Sequence, residues 1–172
     1  MMAKRIFTDK VIIRRAVLAA AVLLFSILQN TPGWFPQLAG VRALIIIPLV
    51  TSIAMYERDT AGMLYGLFAG ALWDITARGN SFNAIFFLIT GFVCGVLINT
   101  VMRCNFITHL LLTAAATVIY NTGYWLWHYV FAGLDMKITM LLRFYIPGMV
   151  YTLLLSPVVF WLVMLLERKL RD

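Results

Sequence analysis

Charge is scarce in this chain. Asp, Glu, Lys and Arg make up 12% of its 172 residues, 63% are hydrophobic, and the mean hydropathy is +0.92. A soluble domain would be about a quarter charged, so an ordinary soluble fold is excluded and an integral membrane protein is implied. Cysteine is almost absent: Cys94 and Cys104 provide no disulfide framework. On one helix, or at its end, they would stand about 15 Å apart, too far to bridge. Neither His109 nor His128 lies at ligand spacing from them, so no metal site is expected. There is no HExxH, no phosphate loop, no Ser-His-Asp or Cys-His pairing, and no second carboxylate within a span to form a proton-sharing dyad with Asp74. The chain reads as a non-enzyme without cofactor or metal.

The charge that is present has a pattern. Fourteen Lys and Arg outweigh seven Asp and Glu, giving +7. Lys4, Arg5, Lys10, Arg14 and Arg15 precede the first apolar run, and Arg168, Lys169 and Arg171 follow the last. Basic clusters flanking apolar spans set topology and attract anionic lipid. Without aromatic-basic interleaving or a binding motif, nucleic acid is not an expected partner.

At about 20 residues per crossing, the apolar runs predict an all-α membrane protein of six transmembrane helices, a single integral-membrane domain over residues 1–172. The spans are expected at about 11–29, 41–56, 61–75, 82–102, 107–131 and 141–166. Between them lie Pro32, Gly33 and Pro36, then Glu57-Arg58-Asp59, Thr76 to Asn80, Arg103-Cys104-Asn105, and Gly133-Leu134-Asp135. Six spans place both termini on one side. With the turns at Arg58 and Arg103, that side holds ten Lys and Arg, against Arg42, Arg78, Lys137 and Arg143 opposite, so it should be the cytoplasm. Trp34, Trp73, Tyr124, Trp125, Trp127 and Tyr129 then fall near the outer interface, as does His128 among them, and His109 at headgroup level on the inner one.

Glycine is the other informative residue. Gly62, Gly66 and Gly70 recur every fourth position and Asp74 continues the series, which keeps all four on one helical face with a drift of about 40° per step. Gly91 and Gly95 repeat the spacing on the next helix, and Ala16 and Ala20 form a weaker small-residue pair on the first. Such seams let backbones approach closely, either within the chain or against a partner helix. Asp74 has three readings: a solvated helix end paired with Arg78, a structural acceptor for a neighbouring helix, or part of a binding site. Arg42, Asp74, Arg78, Asn83 and Arg143 are the groups that could converge on an outer polar pocket, with snorkelling as the plainer reading of Arg42 and Arg143. Asn99 and Asn121, inside spans, should hydrogen-bond across helices.

The run Glu57-Arg58-Asp59-Thr60-Ala61-Gly62-Met63-Leu64-Tyr65-Gly66-Leu67-Phe68-Ala69-Gly70-Ala71-Leu72-Trp73-Asp74 resembles the signature of the rod shape-determining MreD family, a charged turn followed by G-x-x-x-G-x-x-x-D. Phe82 to Phe87 with Gly91 and Gly95 resembles that family's next helix, whereas Ala43-Leu44 and Ser81-Phe82 depart from its pattern. The resemblance implies a multi-pass protein of the bacterial cytoplasmic (inner) membrane that acts as a scaffold in lateral cell-wall synthesis. Its implied partners are a bitopic MreC-like protein, the filament MreB, the rod-complex glycosyltransferase and a class B penicillin-binding protein, together with membrane lipids. The implied fold is similar to the substrate-binding subunits of energy-coupling factor transporters. A vitamin-carrier function is therefore the alternative, with the Ala16/Ala20 pair meeting a coupling subunit.

Overall fold

A computed structural model describes residues 2–31, 33, 40–57, 59–76, 82–127, 131 and 137–171. Their regular structure is helical: α1 (Met2–Asn30), α2 (Ile46–Glu57), α3 (Asp59–Thr76), α4 (Asn83–Thr100), α5 (Phe106–Trp125), α6 (Lys137–Met140), a π-helical turn (Leu141–Tyr145) and α7 (Ile146–Arg171). Four stretches are long and apolar enough to cross a membrane: Val11–Asn30, Asn83–Thr100, Phe106–Trp125 and Ile138–Leu170. Only 17% to 39% of these windows is buried inside the protein. Leu24, Ile27, Ile85, Ile119, Leu154 and Trp161 stand outward. An apolar surface of that extent needs hydrocarbon around it, which marks a membrane protein.

Among the described residues, spanning length and hydropathy thus belong to four elements, where six crossings are expected from the sequence. The main departure is α2. It was expected from about residue 41, but its twelve residues begin at Ile46 and rise about 18 Å. Pro48 accounts for the late start. A proline fits best in the first helical turn, where its missing N–H has no partner to lose. The Leu44 carbonyl, which a residue at position 48 would otherwise bond, accepts the Ile47 N–H at 3.2 Å. Residues 41–45 are non-helical, and side chains of other helices hold their backbone. Leu44 N–H donates to Thr152 Oγ1 at 2.9 Å, and Ile46 N–H donates to Gln29 Oε1 at 3.1 Å. Every residue from Ile46 to Met55 is buried. A short helix that is apolar all round belongs at the centre, and α2 packs on α1, α3, α4, α5 and α7.

The last helix is longer than expected and carries two proline corrections. The π-helical turn ends two residues before Pro147, whose ring would otherwise collide with the carbonyl four residues back. At Pro157, inside α7, the Leu153 carbonyl loses its usual amide donor and accepts Ser156 Oγ–H at 2.9 Å instead. α1 likewise extends beyond the expected 11–29, helical from Met2.

The elements run alternately between two ends. At one end Arg14 on α1 meets Glu57 on α2 and Glu167 on α7, and Asn99 on α4 meets Asp59 on α3. At the other, Gln29 on α1 reaches the start of α2, and Asp74 on α3 reaches the start of α4. The outer parts of α1 and α7 therefore leave from the same end.

Candidate functional site

The α3–α4 seam is built by the spaced glycines. All of Gly62, Gly66, Gly70, Gly91 and Gly95 are buried. A Cβ placed on Gly66 would lie 2.7 Å from the Phe87 carbonyl carbon, and one on Gly70 would lie 2.5 Å from Ala84 Cα. On Gly62 it would meet Ala54 Cβ at 2.8 Å and the Gly91 carbonyl oxygen at 2.9 Å, and on Gly91 the Gly62 carbonyl carbon at 2.8 Å. Real Cβ atoms essentially never sit closer than 3.0 Å, so only glycine permits this backbone-to-backbone contact. The groove along α3 is filled by α4 of the same chain. A partner helix, one of the two occupants the spacing allowed, has no room there.

Asp74 ends the seam as a cap for α4. Its Oδ1 accepts the Asn83 backbone N–H at 3.2 Å and Asn83 Nδ2 at 2.9 Å, while Oδ2 accepts the Ala84 N–H at 2.9 Å. The first amides of a helix have no partner within it, and a carboxylate there also meets the positive end of the helix dipole. Of the three readings of Asp74, the geometry is that of the structural acceptor. Asn83, 4% exposed, passes the network on: its Oδ1 accepts Tyr120 Oη–H from α5 at 2.7 Å. Around this chain stands an aromatic cluster, with Trp73 stacked on Phe87 at 5.7 Å, Phe87 on Tyr120 at 5.9 Å and Phe86 edge-on to Tyr120 at 5.0 Å. Asp74, Asn83 and Tyr120 thus fasten α3, α4 and α5 at one point.

The rest of the expected outer pocket is distributed differently. Arg42 lies on the non-helical segment before α2, whose backbone approaches Gly148 on α7, and Arg143 stands exposed on the π-helical turn. Arg78 lies outside the described residues, as do Trp34, His128, Tyr129 and Arg58. Asn99 does bond across helices, to Asp59, whereas the Asn121 amide turns back on its own helix and donates to the Thr117 carbonyl at 2.9 Å.

Two buried polar centres escaped the sequence reading. The first corrects the expectation for His109, which is fully buried rather than at headgroup level. Its ring stacks on Phe160 with centroids 4.7 Å apart, and its nitrogens lie 3.4 Å from Ser52 Oγ and Thr113 Oγ1. Thr51 and Thr113 share a hydrogen bond at 2.9 Å beside it. The proximity of His109 to the Arg103-Cys104-Asn105 turn pointed to the surface, but packing against α2 and α7 seals it. The second centre is the ion cluster. Arg14 Nε lies 2.6 Å from Glu57 Oε1, Arg15 Nε 3.8 Å from Glu57 Oε2, and Arg14 Nη1 4.0 Å from Glu167 Oε2. Both glutamate side chains are 2% exposed, and Tyr65 Oη–H donates to the Arg15 carbonyl at 3.0 Å. The hints in the sequence were Glu57 in the charged turn between two spans and Glu167 beside the basic run that follows the last. Among the described residues no group of three or more His, Cys, Asp or Glu side chains gathers as a metal site.

Beside this cluster, at the end where α1 and α7 leave, a cleft of about 800 Å³ opens between α2, α4, α5 and α7. Met55, Tyr56, Ile98, Cys104, Phe160 and Arg168 are among its walls. No family model matches the chain, and no curated protein or solved structure matches it either.

Proposed function

We propose that this chain is a non-catalytic scaffold of the bacterial inner membrane, acting as the MreD family does in lateral wall synthesis. One observation carries the reading: Glu57, Asp59, Gly62, Gly66, Gly70 and Asp74 of the Glu57–Asp74 signature serve internal architecture. Glu57 anchors α1, Asp59 binds α4, the glycines seat α4, and Asp74 caps it. A rigid platform needs its few polar groups engaged in this way, with its outer faces apolar. Those faces, on α1, α4, α5 and α7, are the surfaces for an MreC-like helix and the wall polymerases. The seam itself is not, because α4 occupies it.

Six crossings with both ends in the cytoplasm remain the topology of this proposal. Residues 41–45, non-helical, add at most about 16 Å to the roughly 18 Å of α2, which together match a hydrocarbon core of about 30 Å. Non-helical backbone at that depth is tolerated where protein satisfies its amides, as Thr152 and Gln29 do.

The test is affinity purification from the native membrane in mild detergent, with mass spectrometry of proteins and small molecules. Recovery of a single-span MreC-like protein with a wall polymerase is expected, and Gly66→Leu cells should round up. The second reading, a vitamin carrier, draws on the exposed pair Ala16 and Ala20 on α1, a surface suited to a coupling subunit. Recovery of two ATPases or a bound vitamin would install it in place of the scaffold.

A further inference from the structure

The cleft between α2, α4, α5 and α7 has an apolar interior and a polar mouth. Met55, Ile98, Phe160 and Met164 line it, Tyr56, Asn99, Asn105 and Arg168 supply its donors, and the Glu167 carboxylate also stands on its wall. Its position along the helices is informative. The spanning windows of α4 and α5 end and begin at Thr100 and Phe106, and that of the last helix ends at Leu170. Asn105 and Arg168 therefore stand where hydrocarbon gives way to headgroups, and the apolar walls lie on the hydrocarbon side.

Charge decides what the mouth accepts. Arg14 and Arg15 pair with Glu57, and Arg14 also with Glu167 on the cleft wall itself. Arg168, exposed and within electrostatic reach of the Tyr56 hydroxyl, takes no part in those three contacts. An exposed guanidinium with hydroxyl and amide donors beside it suits a phosphate ester, and apolar walls below suit an acyl chain. A volume of about 800 Å³ lies within the ordinary range of ligand sites.

We propose that the cleft binds a glycerophospholipid from the leaflet on the side of the chain ends, its phosphate at Arg168 and one acyl chain along Phe160 and Met164. The proposal rests on the long helices crossing a bilayer and stands apart from the scaffold function.

Cys104 provides the readout, because it is exposed at the mouth while Cys94 is buried. The full chain, purified in detergent, is treated with N-ethylmaleimide, and Cys104 labelling is followed by mass spectrometry. Dioleoylphosphatidylglycerol, dioleoylglycerol and glycerol 3-phosphate are titrated separately. Only the phospholipid should slow labelling severalfold and saturably. Arg168→Gln should weaken that protection about fivefold, and Arg168→Lys should retain most of it. Equal protection by dioleoylglycerol would leave an apolar groove without headgroup recognition, and equal protection by glycerol 3-phosphate a soluble-anion site; either overturns the proposal. So does unchanged protection in Arg168→Gln, or protection by none of the three.

Discussion

Replacing Gly66 by alanine adds one methyl group at the tightest part of the α3–α4 seam. The new Cβ would stand 2.7 Å from the Phe87 carbonyl carbon, whereas ordinary contact begins at 3.4 Å. The obstacle is backbone, so no rotamer change relieves it, and the helices must part by at least about 0.7 Å. A gap of that order forfeits a quarter to a half of the dispersion well for each atom pair across the seam. Overpacking of this kind costs about 1–3 kcal/mol, and the higher end applies because the neighbour cannot yield. Alanine recovers up to about 1 kcal/mol in helix propensity, leaving a net loss of about 2 kcal/mol. Titration with sodium dodecyl sulfate in mixed micelles measures it, and Trp73, stacked on Phe87, reports the seam. Gly123 on α5 is the control, since nothing lies within 4 Å of a Cβ placed there. Gly123→Ala should stay within about 0.5 kcal/mol of the parent or gain stability. Equal stability of the two alanine variants would refute the argument from close approach.

Other perturbations address the polar fasteners. Asp74→Ala removes the acceptor of three hydrogen bonds at the α4 terminus and should cost about 2–3 kcal/mol in the same titration, with Asp74→Asn intermediate. Tyr120→Phe deletes only the donor to Asn83. A loss of about 1 kcal/mol is expected, and a double-mutant cycle with Asn83→Ala should give a coupling near 0.6 kcal/mol; no coupling would mean the bond carries nothing. Arg14→Ala leaves Glu57, 2% exposed, without its nearest cation and should cost about 3–5 kcal/mol. The double variant Arg14→Met with Glu57→Leu should recover much of that loss, and failure to recover would show that the pair does more than neutralise itself.

The membrane class, the predominance of helix, and the faces that α3 and α4 turn to one another were legible in the chain. Each rests on local composition or periodicity: scarce charge, long apolar runs, and glycines four residues apart. A covalent chain displays such features wherever it is read, because side chains three or four positions apart share a face in any α-helix. The late start of α2 was partly visible in Pro48, but the partners that make a non-helical lead-in tolerable, Thr152 and Gln29, lie on other helices. The same holds for Asp74. Its place at the end of the series was evident, yet its role depends on where the next helix begins. The burial of His109 and the meeting of Arg14 with Glu57 and Glu167 were beyond local reading. Whether a polar group is desolvated depends on which helices assemble around it, and its cost is offset only by partners far away in sequence. The sequence alone therefore determined the solvent of this protein and the seam of its central helix pair. The tertiary structure decided where its charges are buried, which carboxylate holds which helix, and where a cleft opens, because those depend on contacts among segments that the chain order keeps apart.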